Sequence, residues 1–177
     1  SLCKEEPFYE QPLGAFCSGS LVGPDLMMTA GHCIRSQSTC DTTTFVFNFA
    51  VEAAGQYPSK AAANDVYKCK SIVRRLELGT GADYALVKLD RPVTGHTPLA
   101  VNRNGISNGT PIVVIGHPSG LPTKIADGAA VRNAALNGYF SANLDTYGGN
   151  SGSAVFNAAT GLVEGILVRG ETDFVYR

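Results

Sequence analysis

Apolar residues in this chain fall in short, β-branched runs cut by Gly, Pro, Asn and Asp. The runs are Phe45 to Phe49, Ser71 to Val73, Tyr84 to Leu89, Ile112 to Ile115, Ala129 to Val131, Tyr139 to Leu144, Ser153 to Phe156 and Val163 to Val168. Runs of this length and spacing predict strands and an all-β chain. Upstream, SGSLVGPDLMMTAGH reads as two further short strands joined by a Gly23-Pro24-Asp25 turn. No helix-period pattern of useful length occurs, although Ala61 to Val66 has room for a turn or two. Asp90 to Asn108 is rich in Pro, Gly and Asn and reads as a connection between two β units. The expected division is a first unit over 1–93, a linker over 94–108 and a second unit over 109–177.

Composition narrows the class of function. A chain of 177 residues with 44% hydrophobic content can bury a substantial core. Its 14 basic and 15 acidic residues leave a formal charge of -1, which gives no footprint for nucleic acid or an anionic membrane surface. No apolar run approaches the roughly 18 residues needed to cross a bilayer as a helix, and Ser1 opens into mixed polar sequence without a signal-peptide pattern. The expectation is a mature chain with neither nucleic acid nor membrane as partner.

Five cysteines, Cys3, Cys17, Cys33, Cys40 and Cys69, lie in the first half, and no pair has C-x-x-C spacing. Disulfides are the better reading, and they imply an oxidising compartment and hence secretion. A hairpin at Gly23-Pro24-Asp25 would bring Cys17 and Cys33 together. Cys40 with Cys69 is one candidate second bridge, but the three remaining cysteines allow several pairings. The three histidines lack ligand spacing and no acidic loop resembles a calcium site, so no metal is expected.

Three separated stretches carry residues suited to acyl transfer: TAGHC around His32, ADYALVKL around Asp83 and GGNSGS around Ser151. A serine hydroxyl is a poor nucleophile until an imidazole takes its proton, and the imidazole needs a carboxylate to fix its tautomer and stabilise its charge. Asp65 is the nearest competitor for the carboxylate, while Asp90 suits a turn. His96, in the linker, and His117, in a GHPSG turn, are assigned no part in the triad, although His117 could line a cleft.

The order histidine, aspartate, serine resembles that of chymotrypsin-fold, trypsin-like serine endopeptidases. That resemblance implies two antiparallel Greek-key β-barrels with the active site in the cleft between them. His32 and Asp83 would belong to the first barrel and Ser151 to the second, with the second barrel incomplete in this chain. It also implies a Cys17–Cys33 bridge pinning the His32 loop, and an oxyanion hole formed by the backbone N–H groups of Gly149 and Ser151. No cofactor is needed. The expected partner is a peptide or protein substrate; Arg177 and leftover Cys3 raise the further expectation of a disulfide-linked C-terminal fragment completing the fold.

Two departures qualify the resemblance. Asn150 stands where trypsins carry an aspartate that pairs with a newly formed N-terminus, so GGNSGS is closer to the bacterial glutamyl endopeptidases. Val168 stands where the trypsin family has a serine supporting the triad aspartate. Specificity divides accordingly. Asp145, six residues before Ser151, aligns with the carboxylate at the base of the trypsin pocket and implies cleavage after Arg or Lys. Thr146 and Arg169 instead fit recognition of Glu, and Gly170 would offer backbone hydrogen bonds to an extended substrate. The competing classes are a catalytically silent homologue acting as a binding module and an esterase on the same fold.

Overall fold

A computed structural model describes residues 4–146 and 148–170. Cys3 and Arg177, on which the expected link to a further fragment rests, lie outside the described residues. The chain folds as two curled five-stranded antiparallel sheets. The first contains β1 (Ser20–Gly23), β2 (Leu26–Thr29), β3 (Thr44–Val46), β4 (Val66–Glu77) and β5 (Asp83–Leu89), in the order β1-β2-β5-β4-β3. The second contains β6 (Pro111–Gly116), β7 (Lys124–Leu136), β8 (Tyr139–Ala142), β9 (Ala154–Asn157) and β10 (Val163–Ile166), in the order β10-β9-β6-β7-β8. The all-β, two-barrel expectation is therefore met, each barrel being a half-barrel of five strands among the described residues.

Alternation along each strand explains how the sheets curl over their cores. In β5, Asp83, Ala85, Val87 and Leu89 are buried while the residues between them face outward. They close on Leu21, Met27, Ile34 and Tyr67. The second core gathers Ile112 and Val114 of β6, Ala129 and Val131 of β7, and Val155 of β9. Removing these side chains from water is the main term holding each half together. The connection at 94–108 is laced to both: Leu99 N–H donates to the Leu21 carbonyl at 2.8 Å, and Val163 N–H donates to the Ala100 carbonyl at 2.9 Å.

The structure departs from the apolar pattern in three places, each with a physical cause. β4 runs over twelve residues, far beyond Ser71 to Val73, because irregularities between Cys69 and Ser71 and between Ile72 and Arg74 shift the phase of its alternation. β7 is similarly long, and its Ala, Gly and Asn content conceals a strand that is held by pairing on both sides. A short α-helix, α1 (Gln37–Thr42), was not expected. Its signal is polar: Ser36 caps it by accepting from Thr39 N–H at 3.1 Å, and it buries only Cys40. The Ala61 to Val66 turn is present as a 3-10 segment over Ala63–Asp65.

Two disulfides form, Cys17–Cys33 and Cys40–Cys69. The first agrees with the hairpin reading, and the second resolves the open pairing by joining α1 to β4. Urea melts should show that Cys40→Ser with Cys69→Ser costs about 2–4 kcal/mol, because the bridge closes a 29-residue separation.

His117 is enclosed where the two halves meet. Its backbone N–H donates to Ser18 Oγ at 2.9 Å, its Nδ1–H donates to the Leu121 carbonyl at 3.0 Å, and its ring stacks on Phe49 with centroids 5.7 Å apart. Burial holds its pKa below the ordinary 6.5, outweighing the Leu121 hydrogen bond. The folded state binds this proton less readily than the unfolded chain. The contribution of the neutral ring is therefore present above pH 6.5 and lost as pH falls through the depressed folded value. Thermal melts from pH 7.5 to 5 should show a shallower acid loss for His117→Gln than for the parent.

Candidate active site

Asp83 opens β5 and is 8% exposed, with its carboxylate turned toward the end of β2. One oxygen, Oδ1, accepts from the backbone N–H of His32 at 3.0 Å, and Oδ2 lies 2.7 Å from His32 Nδ1. A carboxylate bound to both the main chain and the ring of one residue fixes where the imidazole sits and which way it faces. Hydrogen bonds to a charged group typically contribute roughly 1.5–3 kcal/mol. The imidazole keeps 27% side-chain exposure.

This approach is possible because residue 31 is glycine. A Cβ at Gly31 would lie 2.3 Å from the Leu76 carbonyl oxygen and 2.8 Å from Asp83 Oδ1, so any side chain would force β4 and β5 away from the histidine turn. The Cys17–Cys33 bridge braces the other side of that turn. Its two sulfurs and an imidazole nitrogen lie within 4.8 Å of one another, but both sulfurs are bonded to each other and offer no thiolate to a metal.

Ser151 arrives from the second half on a loop that is tied to both. Ser18 N–H donates to the Ser151 carbonyl at 2.8 Å, Gly152 N–H to the Leu167 carbonyl at 2.7 Å, and Leu167 N–H to the Ser153 carbonyl at 2.9 Å. Gly152, at φ +90°, presses on the first half: a Cβ there would stand 2.1 Å from the Ser18 carbonyl oxygen and 2.4 Å from Thr29 Oγ1. Those two atoms are joined by a buried hydrogen bond of 2.7 Å, and Thr29 ends the strand that leads into His32. Close packing at Gly152 thus seats the serine loop beside the histidine turn.

Asn150 is 4% exposed, and its Oδ1 accepts from the fully buried Ser153 Oγ at 2.9 Å. The residue before Ser151 is therefore anchored by a neutral hydrogen bond, where an aspartate would require a cation. Gly149 takes φ +89°, and Ser119 N–H reaches back to the Gly148 carbonyl from the turn after β6.

Asp145 is exposed. Thr146 is partly buried, and Gly170 is exposed with open space around it. Arg169 is engaged as a strut: its guanidinium donates to the carbonyls of Leu78 and Gly81 in the loop before Asp83, and lies 5.7 Å from the Tyr139 ring centroid. Val168 packs against the first core. His96 binds Asp65 at 3.2 Å, away from Asp83.

Sequence reading missed a charged group behind the histidine. Arg75 Nε donates to the Gly31 carbonyl at 2.8 Å, and its Nη2 pairs with Glu77. Arg35 also pairs with Glu77, through Nε at 3.2 Å to each carboxylate oxygen and Nη2 at 2.9 Å. The Arg35 hydrogen bond pulls the Glu77 pKa below its usual range, against opposing pushes from burial and from Asp83. The signal was legible in principle, since Arg75 and Glu77 are two apart on one strand and so share a face.

Comparison with known proteins gives this geometry a context. The chain is 36% identical over 75 residues to chymotrypsin-like elastase family member 3B of Macaca mulatta, a match covering 42% of this chain and 29% of the relative. It is 26% identical over 151 residues to glutamyl endopeptidase of Bacillus licheniformis, covering 81% of this chain and 46% of the relative. The chain spans less than half the length of these curated relatives. Among solved structures, a Glu endopeptidase superposes with TM-score 0.57 at 19% identity, covering 89% of this chain and 75% of the other. The active form of the Rv3671c protease from M. tuberculosis gives TM-score 0.53 at 16% identity, covering 85% and 61%. Both structural likenesses concern the fold. The profile of the trypsin-like peptidase domain matches residues 17–166, and the chain belongs to that family.

Proposed function

We propose that this chain carries the catalytic machinery of a secreted serine endopeptidase, with Ser151 as nucleophile, His32 as general base and then acid, and Asp83 as the orienting carboxylate. The observation that supports it most is the 2.7 Å contact between His32 Nδ1 and Asp83 Oδ2, on a turn against which the Ser151 loop is packed. In this scheme His32 Nε2 takes the Ser151 hydroxyl proton as Oγ bonds to the substrate carbonyl carbon. The tetrahedral oxyanion is met by the backbone N–H groups of Gly149 and Ser151. Collapse breaks the C–N bond, and the imidazolium gives its proton to the departing amine. Water, deprotonated by His32, then releases the acid from the acyl-enzyme and restores Ser151. Two disulfides suit an oxidising compartment and support secretion.

A fluorophosphonate probe should label Ser151 in the parent and leave Ser151→Ala unlabelled. His32→Ala should lower kcat by about four orders of magnitude or more. A folded parent that neither labels nor cleaves would establish the alternative of a catalytically silent binding module.

Specificity has a second reading, favoured by one observation. The exposed Asp145 offers no buried charge to select Arg or Lys, whereas the glutamyl endopeptidase relative aligns with 81% of the chain. Cleavage after Glu, with Thr146 and Arg169 contributing to recognition, is the better fit. Digestion of a peptide library read by mass spectrometry should show Glu before the scissile bond. Preference for Arg or Lys would return the pocket base to Asp145.

A further inference from the structure

We propose that Arg35, Glu77 and Arg75 form a positioning element that straps the His32 turn to β4 and balances the charge against which the imidazole ionises. The strap's kinetic test rests on the role proposed for His32; the charge role, read from the NMR midpoints, does not.

The argument begins with connectivity. Gly31 immediately precedes His32, and its carbonyl accepts from Arg75 Nε at 2.8 Å. Arg35 lies three residues beyond His32 and grips both oxygens of Glu77. The second branch of Arg75 binds the same carboxylate. Both flanks of the histidine are thus fastened to one strand, Gly31 directly by Arg75 and Arg35 through Glu77. A lysine could not replace Arg75, because one ammonium lacks the planar fork that serves a carbonyl and a carboxylate together.

Charge gives the element a second role. Glu77 and Asp83 are directly paired across β4 and β5, so their side chains fall on the same face of the sheet. Like charges at opposed positions repel. Two guanidiniums stand with these two carboxylates, so removing Arg35, Arg75 or Glu77 changes the net charge of the group by one unit. Arg75 and Glu77 have side-chain exposures of 25% and 28%, so solvent screens them only in part, while Arg35 at 65% is screened more. From the second half, Arg169 lies on the loop carbonyls of Leu78 and Gly81 and is the same in every variant considered.

The test is a titration of His32 by NMR in protein labelled at histidine, with His96 and His117 as internal references. Glu77→Gln removes a negative charge and should move the His32 midpoint to lower pH. Arg75→Gln and Arg35→Gln remove positive charges and should move it to higher pH, Arg35→Gln by less. All three displacements should shrink in high salt. Kinetics separate strapping from charge. Arg75→Gln should lower kcat roughly tenfold with KM nearly unchanged, since a loosened turn misplaces the base without touching substrate. Arg75→Lys should restore the midpoint but not kcat.

Displacements of one sign, or none, would overturn the charge role; an unchanged kcat in Arg75→Gln would overturn the strap. Should Arg75→Gln fail to fold, exposed Arg35→Gln still decides the sign against Glu77→Gln. A parent that resists the fluorophosphonate would remove the catalytic reading alone, because the NMR midpoints are read without turnover.

Discussion

The Asp83 carboxylate binds the main chain and the ring of His32 at once, and the arrangement of the first sheet follows from that double contact. For both bonds to form, the turn after β2 must lie against the start of β5 with nothing between them. Gly31 supplies the clearance, the β2–β5 pairing from Leu26 to Thr29 supplies the register, and the Cys17–Cys33 bridge supplies the brace. Shifting the register of β5 by one residue would point Asp83 to the other face of its strand.

A second constraint lies in how the halves meet. They are joined near the site by backbone contacts at points where a side chain would not fit, with Gly152 against Ser18 and Thr29. Such contacts leave little tolerance for sliding, since backbone atoms cannot change rotamer. Arg169 and the 94–108 connection add ties farther out, one to the loop before Asp83 and one running between Leu21 and Val163. The cleft is therefore held at several separated points around its rim.

Strand positions with alternating apolar residues were legible in the sequence, as were the histidine, aspartate and serine stretches, whose residue types narrow the chemistry by themselves. What stayed hidden has a common physical origin. β4 and β7 are strands because of pairing on their flanks, a long-range property that local hydrophobicity does not encode, and α1 is held by a cap and a disulfide in place of an apolar stripe. Arg75 and Glu77 share a face of β4, but Arg35 lies 42 positions before Glu77 and joins them only once β4 lies beside the histidine turn. Counting back from Ser151 gives Asp145 its place in the chain, while its exposure is read only from the fold.

The buried Asn150–Ser153 pair joins two uncharged groups. An ion pair at that place would come apart when acid protonates the carboxylate or base strips the amine, and the serine loop would lose its anchor at both extremes. An amide and a hydroxyl have no such transition in water. The loop's anchorage is thereby uncoupled from proton concentration.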